Sequence, residues 1–240
     1  MLEATGRVRF GFTRAITDPA IAGEALSIPN YGLNTDAPKD VVLSFREELR
    51  AKLGVPIVWM NQIHSDIVEV VDEANAGSAN PITADAVVSR ANVALVVQVA
   101  DCTPVLLFDE EEGIIAACHA GRAGVEKSIV AKTVSEMVRL GSALSNITAA
   151  IGPCICGDCY EVGEDVYASA VALRPEIGAR SRWGTPSLNI RAGVRKDLEG
   201  VGNIIEDDAC TFESEDLNSY RRVRRCGRQL GIVMQVGESA

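Results

Sequence analysis

Three side chains that bind metals well in proteins lie at the ends of apolar segments of this 240-residue sequence. They are His64 in "NQIHSDIV", Cys102 in "VADCTPVLLF" and His119 in "AACHAGRAG". Two imidazoles and one thiolate suit zinc, and three protein ligands leave a fourth position open for water, as in catalytic zinc sites. The long spacing matches no short zinc motif. The alternative is that the histidines are hydrogen-bonded core residues and the cysteine is a small buried hydrophobe.

The segments around these residues predict strands at the centre of a sheet. Continuous β-branched runs at 93–100, 104–109 and 113–120 are too short for separate helices and are apolar on both faces. The segment 125–141 predicts a helix packed on that sheet, because its apolar residues recur at helical spacing and Gly141 ends the pattern. Cys102 and His119 are therefore expected where central strands meet loops.

Weaker patterns complete a chain of mixed helices and strands. Helices are predicted at 35–54, near 164–173 and near 190–200, and strands at 55–60, 66–71, 147–153, "NIIED" and "LGIVMQV". The order is not a regular alternation of strand and helix. We therefore expect an α+β fold, with a mixed β-sheet or a sheet pair flanked by helices, and with residues 1–240 in a single domain.

The composition narrows the class of function. A net charge of −10 disfavours broad binding to nucleic acid or to anionic membranes. The apolar runs fall short of the roughly 20 residues of a membrane-spanning helix, and the first residues lack a signal-peptide pattern. We therefore expect a cytoplasmic protein without membrane or nucleic-acid partners. One basic segment, "SYRRVRRCGR", is the local exception to the acidic composition. We expect its Arg224 and Arg225 to lie on a solvated surface.

The seven cysteines include one C-x-x-C pair, Cys156 and Cys159. Their odd number and uneven spread argue against a disulfide framework. A C-x-x-C pair can be a redox couple or half of a zinc ribbon. No second C-x-x-C is present, and the next helix is expected only near Glu164. We therefore expect these two and Cys154 to be packing or incidental thiols in a loop near the pocket.

Six motifs together resemble one known family over most of the chain. They are "NQIHSDIVEV", "ADAVVS", "VADCTPVLLFD", "AACHAGRAGV", "AAIGPCICGDCYEVG" and "SYRR". In this order they are similar to the laccase-domain family, also called multicopper polyphenol oxidoreductases and now regarded as purine nucleoside phosphorylases of the bacterial and FAMIN-like type. The resemblance implies one zinc ion held by His64, Cys102 and His119.

The chain departs from the family pattern at two places. Members usually have H-A-G-W-R-G, whereas this chain has "HAGRAG", so Arg122 stands one position early. Many members also have G-x-H-x-G-D near the N-terminus, where Asn34 replaces the histidine. Asparagine forms hydrogen bonds to a sugar or a phosphate but does not transfer protons near neutral pH. We therefore expect some activity to be weakened or lost.

The reaction that the resemblance implies is attack of phosphate on the ribose C1′ of adenosine, inosine, guanosine or methylthioadenosine, with adenosine deamination as a companion activity. The partners are then small molecules, a purine nucleoside and phosphate. Phosphorolysis requires cations that hold the phosphate, and the guanidinium group suits that task. We assign a catalytic role to Asp101, Arg221, Arg46 and Asn34, and substrate binding to Arg122 and Arg222. The alternative for Asp101 is that it accepts hydrogen bonds from backbone amides at a tight turn.

Two other classes of function remain open. A copper-dependent polyphenol oxidase is the older interpretation of the family, with copper in place of zinc. A multicopper site needs several histidine clusters, and the whole chain has two histidines. The second alternative is a non-enzymatic metal-binding or redox protein in which Cys154, Cys156 and Cys159 are the active element. Turnover of nucleosides separates this alternative from the enzyme.

Overall fold

The computed structural model of the protein describes residues 2–14, 29–72, 74 and 81–236. The helices of these residues are α1 (Lys39–Leu53), α2 (Arg122–Glu126), α3 (Ile129–Arg139), α4 (Glu164–Leu173) and α5 (Ile190–Asp197). The strands are β1 (Glu3–Thr5), β2 (Val8–Phe12), β3 (Ile57–Val58), β4 (Val68–Val71), β5 (Ala86–Ser89), β6 (Ala94–Val99), β7 (Thr103–Asp109), β8 (Ile114–Ala120), β9 (Thr148–Ile151), β10 (Gly178–Arg180), β11 (Pro186–Leu188), β12 (Asn203–Glu206) and β13 (Gln229–Gln235).

The strands form two mixed sheets and a hairpin. The larger sheet has six strands in the order β12-β9-β7-β8-β5-β4, and the smaller has five in the order β1-β2-β13-β6-β3. Strands β10 and β11 pair with each other as an antiparallel hairpin. The short segment between β6 and β7 passes from the smaller sheet to the larger, and it contains Asp101 and Cys102.

The two sheets pack face to face, and helices cover their outer faces. Apolar side chains of both sheets fill the space between them, among them Phe10, Leu95, Val97, Leu106 and Ile115. Helix α1 covers the smaller sheet through residues such as Leu49, and α3 and α5 cover the larger sheet. The predicted α+β class, a sheet pair flanked by helices in one domain, is confirmed. Among the described residues, no helix combines the length and the apolar composition needed to cross a bilayer.

The strand directions bring the ends of six strands together along one side of the larger sheet. Strand β8 runs antiparallel to β7, with His119 opposite Pro104, and antiparallel to β5. Strand β4 is parallel to β5. Strand β9 is antiparallel to β7, and β12 is parallel to β9. The beginnings of β4, β5 and β7 and the ends of β8, β9 and β12 therefore lie together, and we call this boundary the site edge.

The three predicted central strands are present as β6, β7 and β8, but the predicted helix at 125–141 is interrupted. The chain turns between α2 and α3 at Ser128, which has a left-handed φ of 58°. Buried Arg174 stabilises this break by donating hydrogen bonds to the Val125 carbonyl at 2.6 Å and to Ser128 Oγ at 3.0 Å. The same guanidinium contacts α5 through the Gly193 carbonyl and the Asp197 carboxylate.

Replacing Arg174 with alanine is expected to destabilise the fold by about 3–5 kcal/mol, the usual cost of leaving one partner of a buried ion pair alone. Asp197 would then keep a carboxylate that is 5% exposed without its 2.8 Å partner. The matched control is Arg195→Ala, which removes an exposed ion pair with Glu206 and should cost below about 1 kcal/mol. Urea unfolding measures both, and equal losses in the two variants would contradict the role given to Arg174.

Candidate metal centre

The three predicted ligands converge at the site edge. Their ligand atoms all lie within 4.8 Å of one another. Cys102 Sγ is 3.8 Å from His64 Nε2, and the two imidazole rings meet edge to face with centroids 4.8 Å apart. His119 is buried, Cys102 is half-buried and His64 is exposed. The group is therefore anchored in the protein on one side and open to solvent on the other.

The buried carboxylate of Asp85 positions two of the three ligands. Its Oδ1 lies 2.8 Å from His119 Nδ1 and accepts a hydrogen bond from the His64 amide at 3.0 Å. Its Oδ2 accepts bonds from the Ser65 amide and hydroxyl, both at 2.6 Å, and from the Ile63 amide at 3.2 Å. The Asp85 carbonyl accepts the His119 amide at 2.7 Å. One residue that is 0% exposed thus fixes a loop, a strand end and an imidazole.

This arrangement fits a zinc ion. Because Asp85 occupies His119 Nδ1, Nε2 is the nitrogen left for a metal, and a carboxylate behind a ligating histidine is the usual outer partner in zinc sites. Ligands around tetrahedral zinc stand about 3.5 Å apart, close to the separation of Cys102 and His64. A Cβ at Gly121 would lie 2.9 Å from His64 Cδ2 and 3.2 Å from Cys102 Sγ. Glycine leaves the space that His64 and Cys102 need.

The charges of the cluster favour the metal-binding form of the cysteine. Burial raises the pKa of the Cys102 thiol, but His119 and His64 outweigh it and lower that pKa to about 6. Burial lowers the pKa of His119, but Cys102 and Asp85 outweigh it and raise that pKa to about 9. Burial also raises the pKa of Asp85, yet hydrogen bonds from His119 and Ser65 hold it well below its usual range. The thiolate is the form of cysteine that ligates metals.

Asp101 holds the other wall of the cluster. It precedes Cys102 with a left-handed φ of 88°, a conformation that few residues other than glycine adopt. Its Oδ1 accepts a hydrogen bond from the Thr211 hydroxyl and its Oδ2 from the Arg221 amide, both at 2.6 Å. The Ile155 amide donates to its carbonyl at 3.0 Å. Asp101 thereby joins the loops that follow β9 and β12 to the cysteine ligand.

Two of the predicted arginines lie near the ligands, Arg221 over the Tyr160 ring and Arg122 directly after Gly121. The Arg221 guanidinium is 5.1 Å from the Tyr160 ring centroid, and its Nη1 donates to the Glu161 carbonyl at 2.7 Å. Arg122 forms an ion pair with Glu126 at 2.5 Å and is partly exposed. Desolvation raises the pKa of Tyr160; the charge of Cys102 raises it further, and those of Arg122 and Arg221 lower it. All three charges therefore act on one ring.

The remaining predicted residues have other surroundings. Arg222 donates hydrogen bonds to four backbone carbonyls, those of Thr211, Phe212, Ser214 and Leu217. These contacts make it a brace for the loop after β12. Neither they nor any other observation tests its assigned part in substrate binding, which stays a prediction.

Arg46 lies on α1, at the smaller sheet. It stacks on Trp59 at 3.7 Å and donates to the Tyr31 carbonyl and to Gln98. Burial lowers its pKa to about 10. Gln98 in turn exchanges hydrogen bonds with Gln62, which lies two residues before the ligand His64. Asn34 is exposed on the loop before α1. The catalytic roles assigned to these two residues also stay predictions.

The comparison with known families now adds to this geometry. The model of the multi-copper polyphenol oxidoreductase laccase family matches residues 20–236. The chain belongs to that family. A purine nucleoside phosphorylase of Streptomyces coelicolor is 44% identical over 238 residues, covering 96% of this chain and 97% of the relative. An adenosine deaminase, RL5, of an unidentified prokaryote is 34% identical and covers 89% of this chain and 88% of its own.

A solved structure shares the fold of this laccase-family chain. The Neisseria meningitidis protein NMB0706 superposes with a TM-score of 0.82 at 29% sequence identity, covering 98% of this chain and 96% of the other. The resemblance inferred from the six sequence motifs is confirmed by both comparisons.

Sequence reasoning missed two residues of this laccase-family site. Asp85 stands in the quoted motif "ADAVVS" and Tyr160 in "CGDCYEVG", but neither is singled out from the sequence. The signal for Asp85 is an aspartate directly before an apolar strand, a position where a buried carboxylate needs several donors. Many surface turns have the same local pattern. What distinguishes Asp85 is its hydrogen bond to His119, and this contact is known only once the strands are paired in the sheet.

The variant Asp85→Asn is expected to weaken metal binding by about 10- to 100-fold, the usual effect of removing an outer carboxylate partner. Its amide no longer balances the imidazole charge of His119. The control is Asp109→Asn, a buried carboxylate at the far end of β7 that accepts bonds from the Glu111 and Glu112 amides. Competition with a zinc chelator measures the affinity, and similar affinities in both variants would refute the positioning role.

Proposed function

We propose that this laccase-family protein is a zinc-dependent purine nucleoside phosphorylase with adenosine deamination as a companion activity. The observation that carries the proposal is the position of Arg221, which lies over the Tyr160 ring and whose amide is bound by Asp101, directly before the cysteine of a two-histidine, one-cysteine cluster. The names of the relatives support it, since one is a phosphorylase and another an adenosine deaminase. The proposed substrates are small molecules, namely adenosine, inosine, guanosine or methylthioadenosine, together with phosphate.

Phosphate binding is the first requirement of this reaction. A phosphate ion near pH 7 carries between one and two negative charges, and fixed cations are needed to hold it beside a sugar in a partly desolvated pocket. Arg221 is exposed and uses Nη1 for the Glu161 carbonyl, so other guanidinium N–H groups remain for an anion. Arg122, at the start of α2 directly after Gly121, supplies a second charge, part of which its ion pair with Glu126 offsets. Arg222, bonded to four carbonyls, is less suited to this role.

The metal is the second component, and His64, Cys102 and His119 would hold it. Zinc with three protein ligands acts as a Lewis acid and activates water at its open position. The protein positions the surrounding groups: Asp85 orients His119, and Asp101 holds the Arg221 amide. The half-buried ring of Tyr160, under the Arg221 guanidinium, is the proposed surface for a purine base or a ribose.

The two activities differ in the bond that is broken. In phosphorolysis a phosphate oxygen forms a bond to C1′, the glycosidic bond breaks, and the purine leaves with the electron pair and gains a proton. In deamination water adds at C6 and ammonia leaves, so phosphate takes no part. Arg221 and Arg122 are therefore needed chiefly by the first reaction. The metal ligands are shared by the two proposed activities.

A copper polyphenol oxidase is the competing interpretation, and the family name suggests it. The chain has two histidines, and both belong to the cluster with Cys102. A multicopper centre needs several more imidazoles than this. The histidine count therefore supports one metal ion at this site and favours zinc over a copper cluster.

A panel of purine nucleosides, assayed with and without phosphate, tests the proposed function. Release of free base from inosine, guanosine or methylthioadenosine should require phosphate and yield ribose 1-phosphate or its methylthio analogue. Adenosine should also yield inosine without phosphate. The negative control is Cys102→Ser, which removes the thiolate ligand. If folded, zinc-loaded protein turns over no nucleoside in the panel, the proposal is wrong.

The variant Arg221→Ala should reduce phosphorolysis by about 10²-fold or more and raise the KM for phosphate, the scale of losing one charged transition-state contact. The backbone amide that binds Asp101 is kept. Deamination should fall much less, because it uses no anion. The matched control is Arg224→Ala, an exposed arginine three residues along the same segment. If both activities of Arg221→Ala fall together with the fold intact, another group holds the phosphate.

A further inference from the structure

A second group of metal-binding side chains lies on the same sheet edge. The thiols of Cys156, Cys159 and Cys210 and the carboxylate of Glu213 place their ligand atoms within 4.8 Å of one another. We call these four residues the thiol cluster. None of them belongs to the histidine site, and the proposed enzyme reaction does not use them.

Two similar turns build the thiol cluster. In the first, the Cys159 and Tyr160 amides donate to the Cys156 carbonyl at 3.1 and 3.0 Å. In the second, the Glu213 and Ser214 amides donate to the Cys210 carbonyl at 3.1 and 2.9 Å. Each turn directs the side chains of its first and fourth residues to one side. The sequence "CGDC" thus has a counterpart, "CTFE", at 210–213.

The sheet holds the two turns against each other. They follow β9 and β12, which are parallel neighbours, so both leave the sheet at the site edge. A bridge between Cys154 and Cys210 continues this pairing, with the Thr211 amide donating to the Cys154 carbonyl at 3.1 Å. The Cys156 amide points at Cys210 Sγ, 3.4 Å away. The two turns are therefore in contact at Cys210 as well as through their strands.

The burial and charge of the thiol cluster differ from those of ordinary packing. Cys159 and Cys210 are 2% and 7% exposed. Simple apolar packing does not explain why a carboxylate joins buried sulfur atoms. Arg182 donates to Cys159 Sγ at 3.1 Å and to Glu213 Oε1 at 2.7 Å. Three thiolates and a carboxylate would exceed the charge of a divalent cation by two, and this guanidinium offsets one.

We propose that the thiol cluster is a structural zinc site with Cys156, Cys159, Cys210 and Glu213 as its four ligands. Soft thiolate donors in a compact group select zinc, and four protein ligands leave no position for water or substrate. Sulfur atoms around tetrahedral zinc stand about 3.8 Å apart, so the group, with all ligand atoms within 4.8 Å, needs a contraction of at most about 1 Å. The assignment does not depend on the proposed nucleoside chemistry.

Zinc at the thiol cluster would hold in place the turns after β9 and β12, which line the neighbouring histidine site. Thr211, next to one cysteine ligand, donates its hydroxyl to Asp101. Tyr160, next to another, lies under the Arg221 guanidinium. Joining the turns after β9 and β12 therefore fixes the groups that surround Cys102. A metal at the thiol cluster acts on substrate binding only through this stiffness.

Metal content by mass spectrometry tests the proposal on full-length protein, prepared with zinc under reducing conditions. Wild type should hold two zinc ions per chain. The double variant His64→Ala/His119→Ala should keep one, held by the thiol cluster. The double variant Cys156→Ser/Cys159→Ser should also keep one, held by the histidine site. The matched control Cys226→Ser, a half-buried cysteine outside both clusters, should keep two.

Cobalt(II) and thiol chemistry supply independent readouts. In His64→Ala/His119→Ala, bound cobalt should show intense sulfur-to-metal charge-transfer absorption. A single zinc in wild type that vanishes from His64→Ala/His119→Ala would overturn the proposal without any cysteine variant having to fold. An intact mass lower by two hydrogens, with Cys156 or Cys159 in a disulfide after reducing, anaerobic purification, would assign the group to redox chemistry instead.

Glu213 has its own test, because a substitution on the exposed side of the cluster leaves the buried thiols in place. Glu213→Gln should fold. In competition with a chelator, its thiol cluster should bind zinc at least tenfold more weakly than that of the wild type. The matched control is Glu215→Gln, an exposed carboxylate two residues along the same segment, which should keep the wild-type zinc affinity. Unchanged zinc affinity in Glu213→Gln would overturn the assignment of the fourth ligand.

Discussion

The structure of the site depends on the buried charge of Asp85. An ionised carboxylate inside a protein is costly unless donors satisfy it, and this one accepts hydrogen bonds from three amides, a hydroxyl and an imidazole. The donors come from the loop before β4 and from the end of β8. The cost of burying Asp85 therefore forces these segments together, and His64 and His119 are brought together with them.

The sheet explains why functional groups from distant sequence positions meet. Antiparallel pairing of β7 with β8 sets the start of one strand against the end of the other, so Cys102 and His119 become neighbours. Parallel pairing of β9 with β12 places their following turns side by side. The interior strands are apolar on both faces and leave polar chemistry to their ends. The site edge is where polar side chains reach both one another and solvent.

The sequence predicts local features such as strands and the residues at their ends. It does not predict contacts that depend on which strands pair with one another. The segments that form β6, β7 and β8 are apolar enough to be recognised as buried strands from the sequence alone. The three ligands lie at the ends of these strands or in the loop before β4. Strand order has no local signature, so the partner of Asp85 and the proximity of Cys210 to the C-x-x-C pair were not foreseen. The break at Ser128 was missed because its stabilising partner, Arg174, lies far along the chain.

The two clusters illustrate how solvent access separates chemical roles on one sheet edge. The histidine cluster has three protein ligands and an exposed imidazole, which leaves room for a water molecule or a substrate. The thiol cluster has four donors, two of them nearly inaccessible, and suits an ion that only crosslinks. Asp101 connects them, since it precedes Cys102 and accepts the Thr211 hydroxyl beside Cys210. Rigidity at the closed cluster can thus preserve geometry at the open one.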